Sequence, residues 1–347
     1  MKITEIIDKL ELYNTAQRQE LVYLLENFDD DSLEYLRKKA QKKSLENFGN
    51  KVYIRGLVEI SSFCKNDCLY CGIRRSNKNA VRYRLTEEEI LSACDSGYTL
   101  GFRTFVLQGG EDKYFTDEIM CRIVHKIKNS HPDCAITLSL GERSYESCKK
   151  LFNAGADRYL LRHETADKVH YEKLHPPQMS FENRRECLYN LKKIGYQTGA
   201  GFMVGSPYQT VENLVDDLLF ISRLKPQMCG IGPFIPHKDT CFAREKSGEV
   251  RLCLALLSII RLMHPKILLP ATTALGTIDS RGREKGILHG ANVVMPNLSP
   301  KEHRADYSLY DNKICTGDEA AECIACLGRR MKSIGYRIVT DRGDYPE

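Results

Sequence analysis

Hydrophobic positions in the first fifty residues recur three and four apart. The segments ITEIIDKLELYN and DDSLEYLRKKAQKKSLENFG both show this spacing, which predicts helices and no strand over residues 1–50. After Gly49 the pattern changes, and short apolar runs alternate with longer amphipathic stretches. The runs are VYIRGLVEI (52–60), FRTFVLQ (102–108), AITLSLG (135–141) and RYLLRH (158–163), followed by TGAGFMV (198–204), MCGIGPFI (228–235), KILLPATT (266–273) and ANVVMPN (291–297). Between them lie TEEEILSACDSGYTLG, TDEIMCRIVHKIKNS, SFENRRECLYNLKKIG, VENLVDDLLFISRLK and RLCLALLSIIRLM. In the first of these, Thr86 stands three residues before Glu89, the spacing of a capping box. Alternation of strand and helix implies parallel strands. Eight such units predict an α/β fold, a closed (β/α)8 TIM barrel, although an open doubly wound sheet has the same alternation. No repeat, low-complexity tract or linker interrupts the series. The expected organisation is a helical cap over 1–50, a barrel over 51–300 and a C-terminal segment over 301–347 packed on the barrel.

Length fits this picture. At roughly 150 residues per domain, 347 residues would make about two domains, but one barrel of about 250 residues with extensions fits as well. Apolar residues reach 42%, enough for a large core. Lys and Arg exceed Asp and Glu by 51 − 46 = 5, too small a balance to argue for a nucleic-acid partner. The start, MKITEIIDKLELYN, is amphipathic and charged rather than the apolar core of a signal peptide. No run of about 18 uncharged apolar residues predicts a membrane span. A reducing cytoplasmic location is therefore expected. Fourteen cysteines in that setting are read as metal ligands where clustered and as small buried hydrophobes where scattered. Cys94, Cys121, Cys134, Cys148, Cys187, Cys229, Cys241 and Cys253 are the scattered ones.

A barrel of this type puts its chemistry at the C-terminal ends of the strands, where this sequence collects its polar residues. CKNDCLYCGIRR follows strand 1, with Cys64, Cys68 and Cys71 spaced C-x3-C-x2-C. Gln108, Gly109, Gly110, Glu111 and Asp112 end strand 2. Thr137 and Ser139 lie on strand 3. Arg162, His163, Glu164 and Thr165 end strand 4, and Met203, Gly205 and Ser206 end strand 5. Pro236 and His237 follow strand 6, Thr272 and Thr273 end strand 7, and Pro296 and Asn297 end strand 8. His125, His175 and His264 are read as surface or packing residues. Thr272 and Thr273 also fit as caps of the next helix, and the charges of RHET fit as a rim ion pair.

Three thiols on one short loop leave a zinc site one ligand short unless a distant residue supplies the fourth, and disulfides need pairs. They suit an iron–sulfur cube with one iron left without a protein ligand. That iron can bind the amino and carboxylate groups of a small molecule, and the methionine end of S-adenosylmethionine (SAM) provides both. An electron from such a cluster can cleave the C5′–S bond to give a 5′-deoxyadenosyl radical, with the protein positioning the cofactor and excluding water.

CKNDCLYC resembles the signature of radical SAM enzymes. The resemblance implies that Tyr70 lies near the adenine and that QGGED, with Gln108, Gly109, Gly110 and Glu111, is the turn that holds the methionine amino group. YLLRHET, SFENR, TGAGFMVG, GIGPFIPH, PATTALGT and ANVVMPN extend the likeness over nearly the whole chain, to the HydE family of [FeFe]-hydrogenase maturases. Biotin synthase and methylornithine synthase are that family's relatives. The resemblance implies SAM contacts from Arg162, Glu164 and Arg184, with the Arg184 guanidinium on the methionine carboxylate and Glu164 on the amino group or a ribose hydroxyl. It also implies a wall formed by Ser139 and Met203. A substrate cavity would be lined by Arg55, Thr137, Thr272, Thr273, Tyr307 and Tyr310. The implied reaction modifies an organometallic iron–cysteine precursor on the path to the diiron subcluster. HydG and HydF are the implied partners, and a ferredoxin- or flavodoxin-type protein the reductant.

A second triad, Cys315, Cys323 and Cys326, stands in ICTGDEAAECIACLG with C-x7-C-x2-C spacing. Some HydE proteins bind a second cluster there, so a [2Fe–2S] or [4Fe–4S] cluster is expected, dispensable for catalysis because it follows strand 8. An unoccupied thiol set or a zinc site fits the same spacing. Two other functions compete. A methylornithine synthase acting on lysine would want a carboxylate for the side-chain ammonium, and strands 6 to 8 offer none. A simple iron–sulfur electron carrier would need neither a barrel nor a polar mouth.

Overall fold

The computed structural model describes residues 2–346, apart from Cys315, Asp318 and Glu319, and describes residues 320–322 by their backbone only. The N-terminal fifty residues form helices α1 Ile3–Tyr13, α2 Arg18–Asn27 and α3 Asp30–Phe48. Their buried positions Ile6, Ile7, Leu10, Leu21, Leu24, Leu36 and Ala40 follow the three-and-four spacing of the sequence. They pack on the outside of the barrel. Asn14 Nδ2 donates to the Leu262 carbonyl at 2.7 Å, and Arg18 pairs with Asp216.

The barrel begins with a strand bent at Arg55, in two pieces, β1 Lys51–Ile54 and β2 Gly56–Ser61. It continues with β3 Thr104–Gly109, β4 Ala135–Ser139, β5 Arg158–Leu160, β6 Gln197–Ala200, β7 Met203–Val204, β8 Met228–Cys229, β9 Gly232–Pro233 and β10 Val293–Val294; β11 Arg337–Val339 is added near the C-terminus. A parallel sheet runs β2-β3-β4-β5-β6-β8. Closure uses single bridges rather than full strands. Met228 pairs with Leu268, Pro270 with Val293 and Leu57 with Asn297. The apolar run 266–273 thus supplies a barrel position without forming a strand of its own, because Pro270 withholds a ladder N–H. At the mouth, β7 and β9 extend the barrel as a separate pair.

Helices α4 Glu87–Thr99, α5 Asp117–Ser130 and α6 Tyr145–Asn153 follow successive strands. Next come α7 Lys168–Leu174, α8 Phe181–Ile194, α9 Val211–Leu224 and α10 Val250–Met263, and then the short α11 Thr273–Ile278 and α12 Gly282–Leu288. Their starts are written in the sequence. Thr86 Oγ1 accepts from Glu89 N at 3.2 Å while Glu89 Oε2 accepts from Thr86 N at 2.7 Å. Ser180 caps α8 by accepting from Asn183 N at 3.1 Å.

The C-terminal segment holds α13 Lys301–Arg304 and α14 Ala320–Ser333, and it touches both ends of the barrel. At the lower end β11 pairs with β1. The tail then crosses beneath the barrel, where the fully buried Arg158 reaches the Arg342 carbonyl at 2.8 Å and Asp344 Oδ1 at 2.6 Å. At the upper end, Lys313 donates to Glu59 Oε1 of β2 at 2.6 Å and to the Tyr307 carbonyl at 2.9 Å. This fastens the loop 305–314 over the mouth.

Candidate active site

At that mouth lies a cavity of about 340 Å³. Cys64, Cys68 and Cys71 line it, all half-buried and none in a disulfide. The loop that carries them is held from several sides. Arg82 ties it through the carbonyls of Ile73 at 2.8 Å and Arg74 at 2.6 Å. Lys65 N donates to the Glu111 carbonyl at 3.0 Å, and Gly72 N to the Leu309 carbonyl at 2.9 Å. The Glu111 N–H is aimed at Cys64 Sγ at 3.4 Å, and Cys68 Sγ lies 3.6 Å from Met179 Sδ. Burial pushes all three thiols up, Cys71 to about 12 and Cys68 far above the ordinary value. Without a cation they are neutral, and iron bound to them would deprotonate them.

The glycine turn after β3 packs on this loop. A Cβ at Gly110 would stand 2.2 Å from the Phe63 carbonyl oxygen and 2.8 Å from Cys64 Cβ, so only glycine fits. Glu111 turns its carboxylate away from the turn, accepting from Glu142 N at 3.0 Å and pairing with Lys65 at 3.0 Å. Gln108 and Gly109 line the cavity with it, and so does Ser139 at the end of β4.

Arg162, Glu164 and Arg184 line the same cavity as the thiols. Glu164 has φ +66°, a left-handed backbone that is rare for a non-glycine residue. It is fixed by Glu164 N donating to the Gly201 carbonyl at 3.1 Å. Behind it, the wholly buried His163 accepts from Gly201 N on Nδ1 at 3.3 Å, so its proton sits on Nε2, which donates to Asp217 of α9 at 3.1 Å. Burial lowers His163 to about 3 and raises Asp217 well above the ordinary carboxyl value. Sequence reading passed over this pair because Asp217 lies 54 residues away on an outer helix. Arg162 Nη2 stands 3.2 Å from Glu164 Oε2, yet Arg162 Nε and Nη2 and Glu164 Oε2 make no hydrogen bond. Burial works against the Arg184 charge, but the Glu142 carboxylate at 2.8 Å more than offsets it. The pair runs through Arg184 Nε to Glu142 Oε1.

Met203, Phe234 and Tyr70 form an apolar wall. Tyr70 OH donates to His175 Nε2 at 3.3 Å, and His175 Nδ1 donates to the Tyr171 carbonyl at 2.9 Å. His175 is therefore a buried packing residue and no part of the surface. Tyr307 and Tyr310 close the cavity from the 305–314 loop, opposite Thr272 and Thr273. Thr272 also caps α11, accepting from Leu275 N at 3.4 Å.

Arg55 and Thr137 do not line this cavity. Both are buried deeper in the barrel, where Arg55 Nη1 meets Met228 Sδ at 3.0 Å while Arg55 Nε and Nη2 and Thr137 Oγ1 have no partner. The bend between β1 and β2 turns Arg55 into the lumen below the mouth. Cys323, half-buried, and Cys326, exposed, lie on α14 outside the cavity, and Cys315 falls outside the described residues. Among the scattered cysteines six are buried, whereas Cys121 is half-buried and Cys241 exposed.

The donor set fits an iron–sulfur cluster with SAM beside it. It combines three soft thiols, an N–H aimed at one sulfur, and guanidinium and carboxylate atoms left unsatisfied in the same cavity. Such a closed parallel barrel with three thiols at its mouth is the architecture of a radical SAM enzyme, and the family model "Radical SAM superfamily" matches residues 58–221. The chain is 46% identical to the [FeFe] hydrogenase maturase subunit HydE of Thermotoga maritima over 98% of its own length and 96% of that protein's. It is 31% identical to 3-methylornithine synthase of Methanosarcina acetivorans, over 90% of this chain and 87% of that one. The crystal structure of methylornithine synthase (PylB) superposes with a TM-score of 0.84 at 28% identity, covering 96% of this chain and 97% of that chain. This chain belongs to the HydE family of radical SAM enzymes.

Proposed function

We propose that this chain is a radical SAM maturase acting in H-cluster assembly of an [FeFe]-hydrogenase. The observation that carries the reading is the meeting, in one cavity, of three half-buried thiols with the Arg184 side chain and with Arg162 and Glu164 atoms that make no hydrogen bond. When bound, a [4Fe–4S] cluster and SAM supply a 5′-deoxyadenosyl radical by reductive cleavage. Cys64, Cys68 and Cys71 hold the cluster. The turn Gln108–Glu111 receives the methionine amino group through its backbone, since the Glu111 carboxylate is already engaged. Arg184 takes the methionine carboxylate, its charge secured by Glu142. Glu164 takes a ribose hydroxyl, with Arg162 beside it. Tyr70, Ser139 and Met203 wall the adenosyl end and keep water out.

The substrate we infer is an organometallic iron–cysteine precursor. Tyr307, Tyr310, Thr272 and Thr273 surround it in the mouth, and Arg55 and Thr137 offer cationic and hydroxyl donors below. This donor set favours an anionic or neutral polar guest over lysine. Among the described lining residues the carboxylates are Glu111 and Glu164, both on the cofactor side, so nothing there would pair with a lysine ammonium. Residues 1–50, 51–300 and 301–347 act as one unit in this reading. HydG supplies the precursor, HydF receives the product, and a ferredoxin- or flavodoxin-type protein supplies the electron. We further propose that Cys315, Cys323 and Cys326 hold a second, non-catalytic iron–sulfur cluster. Cys323→Ser should then lower iron content and leave maturation intact, and lost maturation would refute its dispensability.

The test is anaerobic reconstitution followed by maturation of apo-hydrogenase with the partner maturases, with and without this protein. Hydrogen evolution should depend on it and vanish in Cys68→Ala, together with 5′-deoxyadenosine release. 5′-Deoxyadenosine formed without any maturation would send the search to amino-acid substrates, lysine first.

A further inference from the structure

The net charge of the whole chain is +5, and residues 64–84, the thiol loop and its return, carry six cations and one carboxylate, also a net +5. This segment is strongly cationic in its own right. Four of the six cations are engaged, either within the loop or with carboxylates of the loop after β3. Arg82 ties carbonyls together, Arg84 pairs with Asp112 at 2.7 Å, Lys65 with Glu111 at 3.0 Å and Arg74 with Asp67 at 3.7 Å. Arg75 and Lys78 are exposed and enter no ion pair among the described residues.

Two neighbouring loops add to them. The loop after β3 contributes the exposed Lys113, and the loop after β9 contributes Lys238, again without ion pairs among the described residues. These loops touch the thiol loop. Lys65 N donates to the Glu111 carbonyl, Asn79 Nδ2 to Asp239 at 2.9 Å, and Cys241 Sγ lies 3.6 Å from the Leu69 carbonyl. Elsewhere, many exposed lysines sit on carboxylates, as Lys126 does on Glu87 and Lys168 on Glu182. Val81 and Tyr114, 57% and 52% exposed, stand among the unpaired cations. Cations around exposed apolar side chains match the anatomy of a protein interface.

We infer that this face docks an acidic one-electron carrier protein that reduces the group held by Cys64, Cys68 and Cys71. The inference rests on the cluster reading of those thiols. The exposed Lys65 adjoins Cys64 in sequence, so a carrier seated here meets the thiol loop directly. One electron leaves the carrier and one arrives at the cluster; no bond is made or broken. Opposite charge would act mainly by speeding the encounter, with little effect on the rate of departure, as suits a partner that must leave after each transfer.

The test uses the reconstituted full-length protein and two reductants, dithionite and a purified acidic flavodoxin in its hydroquinone form. Reduction is followed by the loss of cluster absorbance, and flavodoxin binding is measured separately. In Lys78→Glu/Lys113→Glu/Lys238→Glu, flavodoxin-driven reduction should fall about tenfold at low ionic strength, and flavodoxin binding should weaken in parallel. Raising salt from roughly 20 to 200 mM should slow the unaltered protein in the same way. Reduction by dithionite should not change. The triple Lys→Gln variant should lie between the two, which separates lost charge from damage to the fold. An unchanged flavodoxin rate, or an equal loss with both reductants, would overturn the inference. So would tight, salt-sensitive binding of a duplex oligonucleotide that these substitutions abolish while the flavodoxin rate stays unchanged. Failure of the unaltered protein to assemble any chromophore on Cys64, Cys68 and Cys71 would instead overturn the cluster reading, and this inference with it.

Discussion

Glu164 concentrates the residue-scale physics of the site. Its φ of +66° is unfavourable for an L-residue by about 1–2 kcal/mol, and strain of this kind persists where the surroundings over-determine it. Here the surroundings are the Gly201 backbone and the His163–Asp217 pair behind the strand. Glu164→Gly relieves the strain at the expense of a floppier unfolded chain, so thermal stability should stay level or rise by up to about 1 kcal/mol. SAM affinity should collapse in the same variant. Glu164→Gln should keep the wild-type melting temperature and lose affinity less. Calorimetry and SAM titration decide the matter, and a clearly less stable glycine variant would refute the strain argument. Arg162 was legible in the sequence as a charge at the end of an apolar run and Arg184 only through the family resemblance, whereas Glu142, which pairs with Arg184, and Asp217, which holds His163, were not. Their pairing depends on how loops and outer helices pack, which no short-range spacing records.

At the scale of elements, α8 delivers Arg184 from its first turn, so its N-cap matters to the site. Ser180→Ala removes the acceptor for Asn183 N and should destabilise the protein by about 1 kcal/mol. It should also weaken SAM binding several-fold, because the fraying turn carries Arg184. Thr116→Ala, at the start of α5 where Thr116 accepts from Ile119 N, should cost a similar amount of stability and leave SAM binding alone. Equal effects of the two caps on binding would show that α8 has no special part. Six of the eight apolar runs became strands of one parallel sheet. The runs at 266–273 and 291–297 close it through single bridges and the two-residue β10, because prolines at 270 and 296 interrupt their ladders.

For the whole molecule, burial sets the acid limit. Burial holds His264 and His289 at about 4 against an ordinary 6.5, and His163 and His175 at about 3. The unfolded chain takes up these protons near pH 6.5 and the fold does not until about 4 or below. Stability is therefore full above 6.5 and falls as pH drops from there, by at most about 1.4 kcal/mol per pH unit for each histidine. His264→Gln/His289→Gln lies far from the cavity and should flatten the fall in urea midpoint between pH 6.5 and 4. An unaltered slope would mean that other groups govern it. No helix among the described residues is long and apolar enough to cross a membrane.

By itself the sequence determined the periodicities, and with them the N-terminal helices, the alternation of strand and helix, the capping signals and the C-x3-C-x2-C loop. These are local properties, in which residues a few positions apart share a face or a loop. Tertiary structure alone decided where each side chain ended up. It sank Arg55 and Thr137 below the mouth, turned the Glu111 carboxylate away onto Lys65 and Glu142, and buried His175 behind Tyr70. It also brought Lys313 across 254 residues to Glu59, which fastens the tyrosine loop over the cavity. Such pairings depend on barrel closure and on the bends within strands, and those arise from packing the whole chain at once.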